Sequence, residues 1–324
     1  MPLSFGAVLA LVPVILGLML WLGKPVAPQP MGSIAAPFRS VDYSGLPPVR
    51  FTQARDGTRL AYRRYGSAAK KPLGSVVLVH GSSARGTSLH PLAEALSAAG
   101  WEAYALDIRG HGESGEKGKV AYVGQLEDDL QDFMGNVQGP APRMLIGFSS
   151  GGGFVLRVAG SGRQSLFDGY LLLSPYLSPK AATSRQDGGG WVGVGIPRII
   201  ALVLLNKLGI TAFNGLPVLA FALSREDAAR LTPVYPYNLW ASFQPHDDYR
   251  GDILRSKRPM AVLAGAEDEV FRADRFAGEF GVNDQVQVSL VPGLNHVGLV
   301  LDKRGTQAIL GALDRLRQRE PGNL

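Results

Sequence analysis

The sequence contains no cysteine among its 324 residues, and this absence removes several kinds of chemistry. Disulfides, thiolate metal sites and cysteine nucleophiles are all excluded. The five histidines are far apart, and none shows a metal-ligand spacing such as His-x-x-x-His. We therefore predict that the protein uses no metal and no cofactor.

Charged residues are also scarce, at 19% of the chain. The net charge is +6, but Lys and Arg are scattered, and no basic stripe interleaves with aromatic residues. This pattern argues against nucleic acid as a partner. The apolar share of 46% is sufficient for a large hydrophobic core.

The N-terminus lacks charged side chains from Leu3 to Gly23, a run of about 21 residues. A helix that crosses a bilayer needs ~20 apolar residues, whereas a secretory signal has a core of ~7–15 residues after a Lys or Arg. No Lys or Arg precedes this run. We therefore expect residues 1–23 to be a single-pass membrane anchor that places the protein at a membrane. The alternative is a cleaved signal on a secreted or periplasmic protein. The positive-inside rule favours a cytoplasmic domain, but the membrane side stays open.

The rest of the chain divides into a linker and one large domain. Residues 24–48 are rich in Pro, Ala, Gly and Ser, which predicts a linker. An Asp56-Gly57 turn between alternating runs predicts a β-hairpin. Further on, continuous apolar runs alternate with helical segments, which is typical of a mostly parallel, doubly wound sheet covered on both faces. These runs are Val76–Val79, Ala103–Leu106, Met144–Ile146, Tyr170–Leu173, Met260–Leu263 and Val286–Val291.

More than 80 residues separate Leu173 from Met260, which is too long for a crossover loop. The apolar stretches within this interval are too short to span a membrane. We therefore predict an inserted, mainly helical cap at about 176–245. It would lie within an α/β domain at 49–319, followed by a tail at 320–324.

One motif predicts a nucleophile. Gly147-Phe148-Ser149-Ser150-Gly151 follows a buried apolar run and precedes a stretch of small residues with helical character. A serine between two glycines at the end of a strand matches the nucleophile elbow, in which a sharp turn lifts the hydroxyl clear of the sheet. The N–H of Ser150 would then face an oxyanion. Ser114 and Ser150 are rival nucleophiles, but neither lies at the centre of an elbow.

A serine nucleophile needs a base, usually histidine, and a carboxylate that orients it. In this architecture the chain order is Ser, acid, His. Only His246 and His296 follow Ser149, and His246 precedes the strand that would carry the acid, which leaves His296. The carboxylates directly after that strand are Glu267, Asp268 and Glu269.

With these residues the sequence resembles the α/β-hydrolase superfamily, in its monoacylglycerol-lipase/lysophospholipase-like and serine-aminopeptidase-like branch. The resemblance covers roughly Phe51 to Leu316. The motifs that carry it are Leu78-Val-His-Gly81, Asp107-Ile-Arg-Gly-His-Gly-Glu-Ser114, Gly147-Phe-Ser-Ser-Gly-Gly152, Gly265-Ala-Glu-Asp268 and Asn295-His296. By this resemblance the fold is that of an α/β hydrolase.

The resemblance also implies roles for single residues. The triad would be the nucleophile Ser149, the orienting acid Asp268 and the base His296. The oxyanion hole would consist of the backbone N–H groups of Ser82 and Ser150, with Ser83 replacing Ser82 if the loop shifts by one residue. Ser150 departs from the family pattern, because relatives more often have a bulky apolar residue there. His80 and Asp107 are expected to organise turns.

The function implied is hydrolysis of carboxylic esters through an acyl-enzyme. The apolar cap and the expected anchor favour a lipophilic acyl ester as substrate, of the monoglyceride or lysophospholipid type, over other small-molecule esters. Two alternatives remain. One is peptidase or amidase action of the serine aminopeptidase type, with acidic residues around the cap holding a substrate amino group. The other is a non-catalytic binding protein on a hydrolase fold. The acidic residues concerned are Glu226, Asp227, Asp247 and Asp248.

Overall fold

The computed structural model describes residues 5–185 and 188–319. The strands in this part are β1 (Val49–Gln53), β2 (Arg59–Tyr65), β3 (Ser75–Val79), β4 (Glu102–Leu106), β5 (Arg143–Phe148), β6 (Gly169–Leu173), β7 (Val192–Val194), β8 (Pro217–Phe221), β9 (Val234–Pro236), β10 (Met260–Gly265) and β11 (Gln287–Val291). The α-helices are α1 (Phe5–Leu22), α2 (Gly32–Arg39), α3 (His90–Ala98), α4 (Gln125–Asn136), α5 (Ser150–Ala159), α6 (Ile196–Lys207), α7 (Arg225–Arg230), α8 (Tyr237–Ser242), α9 (Tyr249–Arg255), α10 (Phe276–Phe280), α11 (Gly298–Leu301) and α12 (Lys303–Gln318). The predicted tail at 320–324 lies outside the described residues.

The centre of the molecule is an eight-stranded sheet in the order β1-β2-β4-β3-β5-β6-β10-β11. The predicted hairpin is confirmed, because β1 pairs with β2 in antiparallel register, and β2 pairs with β4 in the same way. From β4 to β11 all neighbouring strands are parallel. The six predicted apolar runs all lie on strands of this sheet. The fold is therefore that of an α/β hydrolase, as predicted.

Helices cover both faces of the sheet. The side chains of α4 and α5, such as Phe133 and Phe154, form a core with one face. The side chains of α3 and α12, such as Leu92 and Leu313, form a second core with the other face. One detail of the prediction is wrong: β11 is not buried on both sides. It is the edge strand, and Leu290 is 41% exposed.

The inserted segment between β6 and β10 carries α6, α7 and α8, and it also contains a three-stranded antiparallel sheet in the order β7-β8-β9. The sequence predicts a mainly helical cap and gives no sign of this sheet. Two of its strands have only three residues, so neither offers a readable alternation. Their pairing depends on contacts between segments far apart along the chain.

The structure corrects the expectation of a membrane anchor at the N-terminus. Within residues 5–185 and 188–319, we find no helix with the length and apolar character that a bilayer crossing requires. This finding contradicts the single-pass membrane localisation predicted from residues 1–23, and it gives no support to the predicted membrane partner. The described part of helix α1 has 18 residues and contains Pro13. It packs along α6 of the cap, where Arg198 Nε donates to the carbonyl oxygen of Leu20 at 2.6 Å.

Residues 24–48, which composition predicts to be a linker, contain helix α2 and pack against the rest of the protein. We call this segment the strap. Its Ile34 is buried in the same hydrophobic core as α4 and α5. An eight-residue helix with a proline inside has little stability of its own, so tertiary contacts must hold it. The sequence does not reveal such contacts.

Candidate active site

The elbow at the end of β5 has the strained geometry that a nucleophile serine requires. Ser149 has φ 57° and ψ −120°, in a region that side-chain-bearing residues rarely occupy. A Cβ at Gly147 would lie 2.1 Å from the carbonyl oxygen of Gly151, and one at Gly151 would lie 2.4 Å from that of His80. The two glycines are therefore required by close packing. The Ser149 N–H donates to the carbonyl oxygen of Leu173 at 2.9 Å, which ties the elbow to β6.

The candidate acid and the candidate base are joined by a hydrogen bond. His296 Nδ1 lies 2.8 Å from Asp268 Oδ2, and both residues are buried. Asp268 Oδ1 accepts the backbone N–H groups of Val270 and Phe271 at 2.9 and 2.8 Å. Burial by itself would raise the pKa of Asp268, but the charge and hydrogen bond of His296 and the N–H of Phe271 hold it below its ordinary value. An ionised Asp268 accepts from Nδ1–H, which leaves Nε2 of His296 as a proton acceptor.

Ser149 and His296 line the same cavity, which has a volume of about 470 Å³. The structure places no hydrogen bond between their side chains. In hydrolases without a bound substrate this contact is often long, and it tightens in the Michaelis complex. The ring of Phe148 packs on the imidazole of His296, with 4.7 Å between the ring centroids. The elbow thus contacts the base through the residue next to the nucleophile.

The other candidate acids and bases have different partners. Glu269 accepts the backbone N–H of His296 at 2.9 Å, so it supports the loop of the base without contacting its ring. His246 is paired with Asp252 at 2.8 Å, and neither lines the cavity. The rival nucleophile Ser114 is fully buried, and its hydroxyl bonds the backbone of Ala61 and of Asp107.

The loop after β3 offers one free donor. Among the hydrogen bonds of residues 5–185 and 188–319, none uses the backbone N–H of Ser82 or of Ser150. The N–H of Ser83 donates to the hydroxyl oxygen of Tyr235 at 2.6 Å. Ser83 is therefore already engaged, which leaves Ser82 and Ser150 as the candidate oxyanion donors. Ser82 lines the cavity together with Ser149.

Tyr235 is a cap residue that contacts the loop after β3, and the sequence does not reveal this role. Its O–H lies 2.6 Å from His111 Nε2 and donates to it, while its oxygen accepts from Ser83. His111 Nδ1 lies 3.2 Å from the carbonyl oxygen of Arg109. Burial holds the pKa of His111 well below its ordinary value, which keeps the ring neutral and able to accept. No spacing in the sequence connects Tyr235 with His111, so no signal was available.

Trp191 is a second cap residue that the sequence analysis did not identify. Its indole N–H donates to the side-chain oxygen of Ser82 at 2.9 Å, and its ring lines the cavity. The cap therefore holds the loop after β3 at two adjacent residues, Ser82 and Ser83.

His80 and Asp107 organise turns, as predicted. His80 Nδ1 lies 2.8 Å from the carbonyl oxygen of Gly81, and its Nε2 accepts the N–H of Ile108. Burial lowers the pKa of His80. Asp107 accepts the backbone N–H groups of Gly86 and Glu113.

Comparison with known proteins places the chain among hydrolases. Residues 70–302 match the family model described as serine aminopeptidase, S33. The monoacylglycerol lipase of Mycolicibacterium smegmatis is 31% identical over 150 residues, which is 44% of this chain and 50% of that protein. The match thus spans half the length of this curated relative.

Solved structures share the fold. The monoacylglycerol lipase of Paleococcus ferrophilus superposes with a TM-score of 0.58 at 21% identity, covering 80% of this chain and 98% of that one. A soluble variant of the monoglyceride lipase of Saccharomyces cerevisiae gives a TM-score of 0.60 at 18% identity, covering 91% and 99%. The predicted resemblance to the monoacylglycerol-lipase-like branch of the α/β hydrolases is confirmed.

Proposed function

The chain belongs to the serine aminopeptidase S33 family of α/β hydrolases, and on that premise we propose that it cleaves carboxylic esters of lipophilic acyl groups through Ser149, His296 and Asp268. The observation that carries the proposal is the 2.8 Å bond between His296 and Asp268 beside the cavity that Ser149 lines. A buried acid–base pair next to a strained serine has the composition of a hydrolase triad.

The reaction begins when His296 Nε2 takes the proton of Ser149 and the serine Oγ attacks the carbonyl carbon of the ester. The resulting oxyanion is held by the backbone N–H groups of Ser82 and Ser150. One such donor is worth ~3 kcal/mol of transition-state stabilisation. The protonated His296 then gives its proton to the leaving alcohol, and an acyl-enzyme remains. His296 next activates a water, which releases the acid and regenerates the serine.

Apolar side chains around the cavity support a lipophilic acyl group as substrate. Those that line it from the sheet side and the cap are Phe148, Trp191, Leu223, Leu231, Val270 and Val297. A monoglyceride or a lysophospholipid would place its acyl chain against such a surface. The monoacylglycerol lipases among the relatives support the same substrate class.

Peptidase action has less support. Of the four acidic residues considered for an amino group, Asp227 lines the cavity, but its carboxylate is bound by Arg39 at 2.8 Å. Glu226 is paired with Arg230. An aminopeptidase needs a carboxylate that is available to the substrate ammonium group. Asp227 and Glu226 are paired with arginines, and Asp247 and Asp248 do not line the cavity.

The test combines a fluorophosphonate probe with a panel of esters and amides. Wild type should be labelled and should hydrolyse nitrophenyl esters faster than aminoacyl arylamides. Ser149→Ala should abolish labelling and reduce kcat by on the order of 10⁴-fold or more. Ser161→Ala, which removes a hydroxyl two residues after α5 and away from the cavity, serves as the control. Unlabelled wild type would favour the non-catalytic alternative, and faster arylamide turnover would favour the peptidase.

A further inference from the structure

The strap lies directly on the cap. A Cβ at Gly193 in β7 would lie 1.7 Å from the carbonyl oxygen of Val26, so the two backbones touch where only glycine fits. Further along the strap, the N–H of Met31 donates to the carbonyl oxygen of Ala222, next to β8, at 3.1 Å. These contacts fix the path of residues 24–31 and bring α2 to the cavity.

Helix α2 presents one face to the cavity. Ile34, Ala35 and Phe38 are three and four residues apart, so they share a side of the helix, and all three line the cavity that contains Ser149. Leu46, near the end of the strap, lines it as well. Apart from Arg39 and Tyr43, the strap residues that line the cavity are apolar, so the strap supplies a mostly apolar wall to the cavity that Ser149 and Ser82 also line.

The wall is held at its far end by polar and aromatic contacts. Arg39 forms an ion pair with Asp227 of α7 at 2.8 Å, which joins the strap to the cap. Tyr43 stacks on the ring of His90, with 5.9 Å between the centroids, and its hydroxyl donates to the carbonyl oxygen of Phe38. Helix α2 is thus attached before and after the residues that line the cavity.

The strap lies outside the part of the chain that matches the family, which begins at residue 70. The strap is therefore not among the residues on which the family assignment rests. We propose that the strap determines acyl-chain specificity: Ala35 and Phe38 contact the acyl group and set the length that the cavity accepts. This inference rests on the proposed esterase function, because it concerns the substrate of the same site.

Two substitutions with opposite effects on the volume of the cavity test whether the strap contacts the acyl chain. Phe38→Ala enlarges the cavity and removes an apolar contact, so kcat/KM for the best wild-type ester should fall about tenfold, and the optimum should move to a longer acyl chain. Ala35→Trp fills part of the cavity. The value of kcat/KM should therefore fall about tenfold or more for long-chain esters, while the value for the acetyl ester should stay within about twofold of wild type. The measurement is kcat/KM on nitrophenyl esters of increasing acyl length.

Val26→Ala is the matched control, because Val26 belongs to the strap, is 80% exposed and does not line the cavity. Its chain-length profile should be that of wild type. Thermal unfolding and fluorophosphonate labelling of each variant show whether the fold and Ser149 remain intact. A general loss of stability would reduce activity on all esters alike and would not shift the optimum.

The outcomes separate the two proposals. If wild type is active but Phe38→Ala and Ala35→Trp both keep its profile, the strap does not contact the acyl group and this inference is wrong, while the esterase function stands. If wild type hydrolyses no ester and takes up no probe, both proposals are wrong. Opposite shifts of the optimum in the two variants would support the strap as the specificity wall.

Discussion

The two sides of the cavity are built differently. On the sheet side, Ser149 and Asp268 follow the carboxyl ends of β5 and β10, and His296 lies in the loop after β11. On the other side, the cap and the strap contribute side chains from segments that precede the family match or interrupt the sheet. The first side gathers reactive groups at one edge of a parallel sheet. The second is assembled by packing between distant parts of the chain.

This difference indicates that one side of the cavity carries the reactive groups and the other side mainly binds the substrate. Reactive groups need fixed geometry, and buried strands with hydrogen-bonded loops provide it. Among the cap side chains, Tyr235 and Trp191 bond to the loop after β3, which carries a candidate oxyanion donor. We therefore expect substitutions on the sheet side to change kcat strongly. Substitutions on the opposite side should act mainly through substrate binding, except at these two residues.

The largest effect is expected at Asp268, on the sheet side. Asp268→Asn removes the charge that orients His296 and favours the wrong tautomer of the ring, so kcat should fall on the order of 10⁴-fold. KM should change little, because Asp268 does not line the cavity. Steady-state kinetics on a short-chain ester measures both values. A decrease of less than tenfold would mean that another carboxylate orients the base.

A smaller effect is expected at Tyr235, where the cap contacts the loop after β3. Tyr235→Phe leaves the buried N–H of Ser83 and Nε2 of His111 without partners, which should lower the free energy of unfolding by about 1–3 kcal/mol. The loop would shift, so kcat should fall about tenfold with KM nearly unchanged.

Tyr237→Phe is the control for Tyr235→Phe. Tyr237 is also buried in the cap, and its hydroxyl forms no hydrogen bond within the described part of the chain. Denaturant unfolding and steady-state kinetics should give values close to wild type for this control. If Tyr235→Phe resembles the control in both measurements, the bond to Ser83 has no positioning role.

Trp191→Phe should have a milder effect. The variant keeps an aromatic ring against the cavity but loses the 2.9 Å bond to the side chain of Ser82. Removing one hydrogen bond of this kind should lower kcat/KM about threefold to tenfold. Because the ring also lines the cavity, we expect kcat to decrease and KM to change as well. An unchanged kcat would place Trp191 with the residues that only bind substrate.

The smallest effect is expected far from the cavity, at Asp56 in the hairpin turn. Hydrogen bonds to Arg109 lower the pKa of Asp56 from 3.8 to about 2. A lowered pKa in the folded state stabilises the protein above pH 3.8, and this contribution is lost as the pH falls towards 2. Asp56 is 40% exposed, so Asp56→Asn should cost less than about 1 kcal/mol at neutral pH. Urea unfolding of both proteins should show the difference shrinking in acid, and a constant difference would contradict this assignment.

The sequence predicts the sheet side well for a physical reason. Ser149, Asp268 and His296 each follow a strand that can be recognised as a continuous apolar run or a strand-end motif, and parallel strands bring their carboxyl ends to one edge. The glycines of the elbow, Gly147 and Gly151, add a local signal, because they mark the sharp turn at Ser149. Strand ends that are far apart in the sequence therefore come together at this edge, because the order of strands in a parallel sheet is regular.

The opposite side could not be predicted in this way. Helix α2 has only eight residues and is stabilised by the burial of Ile34 and by the pair of Arg39 with Asp227. Two of the three strands of the cap have only three residues, which is too short to show an alternating pattern. The apolar composition of residues 1–23 indicates hydrophobicity, but it does not show whether the segment contacts lipid or another helix, and in the structure α1 contacts α6.

The ion pair between Arg39 and Asp227 joins residues 188 positions apart. Closing so large a loop is entropically unfavourable and slow compared with local contacts. During synthesis the strap leaves the ribosome long before its docking site exists. We therefore expect the sheet and its loops to form first, and the strap to dock last, when the N-terminal segment folds back onto the finished cap.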